Sequence, residues 1–265
     1  MENIVAKVFH LICVRNYRRS DEHEEVYFRN GFEEAKTFFS RFDGKVDFKQ
    51  KTVLDIGHGF GSTAIYMALN GAARVVGIEI DEDKVEFAKL KLATEYKGVS
   101  TIVEFRITDD TFKEQFDIVI SKDCFEHYAN PEDFITTMKQ YLKKDGIMVI
   151  GFSPLWKAPY GGHIEYMTKV PWAHLLFPES VILGARRRFR PDEEAQSFEE
   201  IRGGLNKMTL KRYLDIIKKS GLKVEYLKTN VQNTKLMFLF NILRKIPFCD
   251  ELFTQNVYSI MCMRI

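Results

Sequence analysis

The sequence predicts an α/β protein, a parallel β-sheet with helices on both faces, and three observations carry that prediction. Between residues 51 and 152, short apolar runs alternate with amphipathic helical patterns, and successive parallel strands require right-handed crossovers that cover the sheet on both sides. A glycine-rich turn, VLDIGHGFGSTAIYMA over 53–68, joins the first of these runs to the helix after it. The alternation breaks at Ser153 and resumes near Met208, so the intervening aromatic-rich stretch reads as an insertion in an otherwise regular fold.

Residues 1–50 read as a helical, polar cover with aromatic punctuation. Val26, Phe32, Ala35, Phe38 and Phe39 recur near helical spacing. Such a segment covers one edge of the sheet, or lies over a ligand pocket with Tyr17 or Tyr27 reaching in. Lys51–Ile56 is the first strand, and the helix opening at Ser62 stops at Asn70-Gly71. Arg74–Ile80 is the second strand. Asp81 caps the next helix, whose Val85, Ala88, Leu92 and Tyr96 form a stripe. Thr101–Ile107 and Gln115–Ser121 are the third and fourth strands. Pro131 starts a helix carrying Phe134, Ile135, Met138, Tyr141 and Leu142, and Asp145-Gly146 turns the chain into a fifth strand, Ile147–Phe152. After the insertion at 153–208 come a helix (LKRYLDIIKKSG), a strand (LKVEYLK), an apolar connection (LMFLFNILRKIPF) and a last strand (NVYSIMCMRI). The apolar connection is read as core, ahead of an interface or a lipid-facing surface.

A chain of 265 residues fits one domain with a sizeable insertion. The net charge of +2 gives no global pull toward nucleic acid or an acidic membrane. Cys13, Cys124, Cys249 and Cys262 are far apart and form no CxxC pair, which argues against a disulfide framework or a thiolate zinc site and fits a reducing, cytoplasmic setting. Lys7 and His10 interrupt the apolar N-terminus, so a signal peptide is not expected, and no apolar run is long enough to span a bilayer.

Gly57, Gly59 and Gly61 lie where a strand turns into a helix N-terminus. There the backbone approaches a ligand closely, and unpaired N–H groups and a positive dipole end face it. The dinucleotide fingerprint spaces its glycines G-x-G-x-x-G. Here the third glycine comes one position early and Asp55 stands two before the first. A pyrophosphate has no use for that carboxylate, whereas a cationic ligand does. Glu79 closes the second strand, where it can accept both hydroxyls of a ribose, and Asp109 follows the third, within reach of an adenine amino group. Three carboxylates on one sheet edge suit a nucleoside with a positively charged amino-acid tail.

With these segments in view, the chain resembles the class I S-adenosylmethionine-dependent methyltransferases that act on small molecules. The resemblance rests on VLDIGHGFGS, VVGIEID, the Asp109 turn, QFDIVISKDCFEH with NPEDFI, and YLKKDGIMVIGFSP, and it resumes in LNKMTLKRYLDIIKKSGLKVEYL. It implies a Rossmann-like sheet of seven strands, mostly parallel, with the last antiparallel. It also implies that Asp55, Gly57, Gly59, Gly61, Ser62 and Thr63 hold the methionine part of the cofactor. Glu79 and Ile80 would lie at the ribose, Asp109 at the adenine, and Ser121 and Lys122 beside the sulfonium.

The acceptor side is read from other residues. The Asn/Asp-Pro-Pro-Tyr/Phe motif of amide and base N-methylation is absent after the fourth strand, which holds SKDCFEH instead. His127 there is either a structural residue or a general base for a hydroxyl acceptor. Asp123, Glu126 and His127 also offer a possible divalent-metal cluster, similar to the E-x-x-E-H of ubiquinone-pathway O-methyltransferases and small-RNA 2′-O-methyltransferases. Within 153–208, taken as a substrate cap, His163 on a Gly-Gly turn is the leading candidate for base or substrate contact, and His174 packs within the insertion. Trp156, Tyr160 and Trp172 stack on a substrate ring or form the core of the insertion. Arg186, Arg187, Arg188 and Arg190 are neutralised by Asp192, Glu193 and Glu194, or they grip a phosphate or carboxylate. The expected partner is a small molecule, a carbohydrate, lipid-linked or secondary-metabolite hydroxyl, with no nucleic acid. The alternatives are a methyltransferase acting on RNA or protein, against which the near-neutral charge counts, and a non-catalytic cofactor-binding module, against which the full set of carboxylates counts.

Overall fold

A computed structural model describes residues 4–12, 14, 24–108, 113–231 and 234–264. Its helices are α1 Ile4–Ile12, α2 Glu24–Ser40, α3 Ser62–Leu69, α4 Glu82–Thr94, α5 Pro131–Gln140, α6 Ala173–Leu176, α7 Glu179–Arg186, α8 Leu210–Lys219 and α9 Lys235–Leu243. Its strands are β1 Thr52–Ile56, β2 Arg74–Glu79, β3 Val103–Ile107, β4 Phe116–Lys122, β5 Leu142–Phe152, β6 Leu222–Thr229 and β7 Val257–Met263. They form one sheet in the order β3-β2-β1-β4-β5-β7-β6. β1 to β5 pair in parallel, and β7 runs antiparallel to both β5 and β6. This is the seven-stranded sheet with a reversed last strand that the resemblance implies.

Alternation along each strand sends side chains to two separate cores. Val53, Val75, Ile118, Ile120 and Val149 face the layer that contains α2, α3 and α4. Leu54, Val76, Val119, Met148 and Ile150 face the layer of α5 and α8. α2 seats itself on α3 through Phe28, Gly31, Ala35, Phe38 and Phe39. A side chain at Gly31 would collide with Ser62, whose hydroxyl donates to the Phe28 carbonyl at 2.8 Å. Val26, expected in this stripe, is exposed, and Phe28 takes its place.

Residues 153–208 build a third cluster of their own. Ile164, Met167, Ile182, Leu183, Phe198 and Leu205 are buried against one another, and Phe9 of α1 joins them. Trp156 packs on His174 and Phe198, with ring centroids 4.8 and 5.0 Å apart. The Trp172 indole N–H donates to the Lys157 carbonyl, and the Tyr160 hydroxyl donates to that of Lys169. Trp156 and Tyr160 thus pack within this part of the chain, as does His174, whose Nε2 lies 2.6 Å from the Trp156 carbonyl, whereas the Trp172 ring meets Phe253, 5.6 Å away between centroids.

Two readings are corrected. Asp145-Gly146 does not turn a helix into a strand: the helix ends at Gln140, β5 begins at Leu142, and the register with β4 shifts between Phe116 and Ile118. A Cβ at Gly146 would sit 2.9 Å from the Asp117 carbonyl oxygen, so glycine here permits a close backbone approach inside the sheet. The apolar run after β6 is core on one face only. Met237 and Phe240 are buried, but Phe238 is 70% exposed, Leu236, Leu239 and Ile242 are largely exposed, and Phe248 beyond α9 is fully so. Among the described residues no helix is long and apolar enough to cross a membrane.

Phe240, which packs 5.3 Å from Phe253, is expected to cost about 3–5 kcal/mol on truncation to alanine. Phe238→Ala is expected to stay within about 0.5 kcal/mol. Urea midpoints report both, and equal losses would mean that α9 buries both faces.

Candidate active site

The strand order turns at β1 and β4. From β1 the chain builds outward through β2 and β3, and from β4 it builds the other way through β5. Helices therefore diverge from the carboxyl ends of these two neighbours and leave a crevice there. It holds a cavity of about 800 Å³. One wall is the turn 55–63 with Glu79 and Ile80, a second is Tyr27, Gly31 and Glu34 of α2, and the third combines 122–129 with Arg190, Arg202 and Gly203. Tyr27, one of two tyrosines expected to reach in, lines it; Tyr17 lies outside the described residues.

The turn is held by paired donors: the N–H groups of Gly57 and His58 both donate to the Ile78 carbonyl, at 2.8 and 3.3 Å. Gly59 has φ 56°, and a Cβ there would meet nothing within 4 Å, so its backbone is open to a ligand. Gly61 has a different task. It does not line the cavity; a side chain there would meet Phe105 and Ala88 at 2.7 and 2.8 Å, so it lets α3 close on the sheet. Ser62 and Thr63 at the start of α3 do line the cavity. Glu79 is fixed by three backbone donors, Gly59 at 3.0 Å, Ile80 at 2.9 Å and Asp81 at 3.3 Å. Its carboxylate thus ties the end of β2 to the glycine turn. Asp55 is 1% exposed, and its Oδ2 has no partner among the described residues. Burial pushes its carboxyl up to about 7, with Lys122 opposing and Glu79 adding. An orphaned buried carboxylate oxygen beside an open glycine backbone fits the cationic amino-acid tail of S-adenosylmethionine, and the fixed Glu79 carboxylate fits a ribose diol. Asp109 lies outside the described residues. Ser121 is fully buried between Ile56 and Ile150 in the sheet and is not part of the lining, whereas Lys122 and the exposed Ile80 are.

Burial opposes the charge of Lys122, but Asp123 and Glu34 outweigh it and hold the ammonium above its usual range. The same ion pair defeats the metal reading. Asp123, in a left-handed conformation at φ 49°, pairs with Lys122 at 3.1 Å. Residues 125–127 form a single 3₁₀ turn, Glu126 is buried, and the His127 ring bonds elsewhere. Glu126 Oε1 lies 4.0 Å from His127 Nε2, but Asp123 is drawn to Lys122, and among the described residues no group of three His, Cys, Asp or Glu side chains could hold an ion.

His127 lines the cavity, and its Nδ1 lies 2.7 Å from the Gly204 carbonyl oxygen. A carbonyl only accepts, so Nδ1 carries a proton, and in the neutral ring the lone pair sits on Nε2. His163 stands perpendicular to this ring, with centroids 5.3 Å apart, and is not part of the lining. Burial, reinforced by His127 and Arg186, pushes its imidazole down to about 4. Asn206 braces the turn: its amide donates to the carbonyls of Phe125 and Tyr128, both at 2.8 Å. Asn206, Cys124, Tyr128 and Arg202 escaped the sequence reading.

Residues 54–150 match the model of a methyltransferase domain family. This segment carries a methyltransferase domain. The chain is 33% identical over 119 residues to a ubiquinone biosynthesis O-methyltransferase of Neisseria meningitidis serogroup C, covering 44% of this chain and 49% of that one. It is 33% identical over 124 residues to phosphoethanolamine N-methyltransferase 1 of Triticum aestivum, covering 45% and 24%. The match thus spans half or less of these curated relatives. In fold it is similar to an S-adenosylmethionine-dependent methyltransferase from Mesorhizobium loti, with a TM-score of 0.56 and 15% identity over 87% of this chain and 99% of that one.

For the methyltransferase domain the Asp55 environment predicts a pH dependence. A buried acid whose pKa rises on folding binds its proton more tightly when folded, so stability falls as pH climbs from about 4 to about 7. The loss amounts to roughly 4 kcal/mol for a shift of this size. Asp55→Asn is expected to flatten that limb in urea titrations of the ligand-free protein at pH 4 and pH 8; an unchanged slope would refute it.

Proposed function

We propose that this chain is an S-adenosylmethionine-dependent methyltransferase acting on a small molecule, with a hydroxyl as the methylated group. The observation that carries this reading is one cavity with two unlike halves. A donor bed lies at Asp55, the glycine turn and Glu79, and a wall of 127–129 with Arg190, Arg202 and Gly203 holds an imidazole whose Nδ1 is engaged by Gly204. Asp55 and the turn through Thr63 bind the methionine part, Glu79 with Ile80 the ribose, Asp109 the adenine, and Lys122 borders the sulfonium. Ser121 supports this wall from within the sheet. The cofactor supplies an electrophilic methyl group. The chain's own work is to align the acceptor oxygen with that carbon, keep water out and take one proton. His127 Nε2 removes the acceptor proton as the O–C bond forms, and Gly204 holds the tautomer that makes this possible. His163 backs the ring and keeps it upright. The 153–208 segment serves as the cap, closing on the acceptor through Arg190, Arg202 and Gly203. The relatives carry names of both O- and N-methyltransferases; the hydroxyl is preferred here because a base is at hand.

Glu79→Ala is expected to weaken S-adenosylhomocysteine binding about 10- to 100-fold by calorimetry, the range for losing hydrogen bonds to a charged group. Unchanged affinity would remove the ribose role. In turnover of tritiated S-adenosylmethionine with small-molecule pools, His127→Asn is expected to lower kcat by about 10²–10⁴ and to leave cofactor affinity within threefold. His163→Phe, which preserves ring packing, should cost no more than tenfold; a fall as deep as that of His127→Asn would move the base to His163. Transfer to RNA or protein alone would overturn the small-molecule reading.

A further inference from the structure

The charges facing the cavity are unevenly matched. Glu34 and Asp123 share Lys122, at 3.4 and 3.1 Å. Asp81 pairs with Lys84 at 3.2 Å, and Glu79 is met by three backbone N–H groups. Arg190 and Arg202 also line the cavity, and among the described residues neither guanidinium is paired with a carboxylate. The Arg190 Nε is buried and has no hydrogen-bond partner.

One frame positions the Arg190 side chain and the backbone of the exposed Arg202. Arg186 and Glu193 form a buried two-pronged ion pair, with side chains 5% and 11% exposed and N···O distances of 2.5 and 3.1 Å. Arg186 also donates to the Tyr166 hydroxyl at 2.7 Å, and Glu193 accepts the backbone N–H of Arg202. Arg190 lies over the Tyr166 ring, 5.5 Å from its centroid. Arg190 also donates to the Tyr166 hydroxyl, which leaves its buried Nε–H as the donor without a partner. Gly203, next to Arg202, borders the His127 ring, and Gly204 bonds it. One of the two cations is therefore adjacent in sequence to the strip that orients the imidazole.

We propose that Arg190 and Arg202 form an oxyanion subsite at the acceptor end of the cavity, so that the methylated small molecule carries a phosphate or carboxylate group near its reactive hydroxyl. A planar guanidinium edge matches two oxygens of either group at once, and two guanidinium groups confer a preference that a single lysine would not. The inference rests on the small-molecule reading above, and it separates Arg186, a structural strut, from Arg190 and Arg202, which face the ligand.

The test uses the full chain saturated with S-adenosylhomocysteine and titrated with inorganic phosphate or acetate, against chloride at matched ionic strength, by calorimetry. The native chain should bind one oxyanion beyond the chloride control. Arg190→Gln and Arg202→Gln should each weaken it at least tenfold, with S-adenosylhomocysteine affinity within threefold of native, which also shows that the variants fold. Tighter phosphate than acetate assigns a phosphate ester; the reverse assigns a carboxylate. Oxyanion binding equal to chloride, or unchanged in both variants, overturns the subsite. A parallel loss of S-adenosylhomocysteine affinity also overturns it, by assigning the arginines to the cofactor's own carboxylate. Failure of the native chain to bind S-adenosylhomocysteine would instead count against the proposed function.

Discussion

The reversal of strand order between β1 and β4 is the constraint on which the site depends. Helices leaving two adjacent parallel strands in opposite directions cannot both cover the strand ends, so a gap opens at their carboxyl termini. What fills it follows from the backbone. β1 ends in Asp55 and a glycine turn, β2 ends one strand away in Glu79, and the Gly59 N–H of the turn joins those of Ile80 and Asp81 in holding that carboxylate in place. The strand that delivers Asp55 is buried on both faces, so the carboxyl sits in a dry setting where a cation would be its natural partner.

The proposed donor half of the site is legible in the sequence because its determinants are local. A strand end, a tight turn and a helix start lie within a few residues of one another, and Gly57, Gly59, Asp55 and Glu79 all fall where spacing alone puts them. Asp145-Gly146 shows the limit of local signals. The pair has the composition of a turn, yet the Phe116 N–H donates to the Tyr141 carbonyl at 2.8 Å, which commits the chain to pairing five residues before Gly146. α9 fails for a different reason. Its hydrophobicity is plain, but nothing local says that only one of its faces meets the body of the protein.

The acceptor half is built from distant pieces. His127 takes its tautomer from Gly204, 77 residues later, and the turn around it is braced by Asn206. No periodicity connects those positions. The arginine run is similar. On the page its members look alike, whereas in three dimensions Arg186 is sealed against Glu193 and Arg190 faces the cavity. His163 has an attractive Gly-Gly setting in the sequence, but that flexible-looking turn is buried: a side chain at Gly162 would collide with His174.

The separate core of residues 153–208 bears on how such a protein diverges. Phe198, Ile182 and Leu205 pack on one another and not on the sheet, so substitutions among them reshape the wall that carries Arg190, Arg202 and Gly203 while leaving β1 to β5 undisturbed. Destabilising changes there would be confined to one cluster, since mutations in unconnected clusters act nearly independently. On the proposed function, a lineage can therefore explore new acceptors by drift in this segment while selection on the donor bed stays constant.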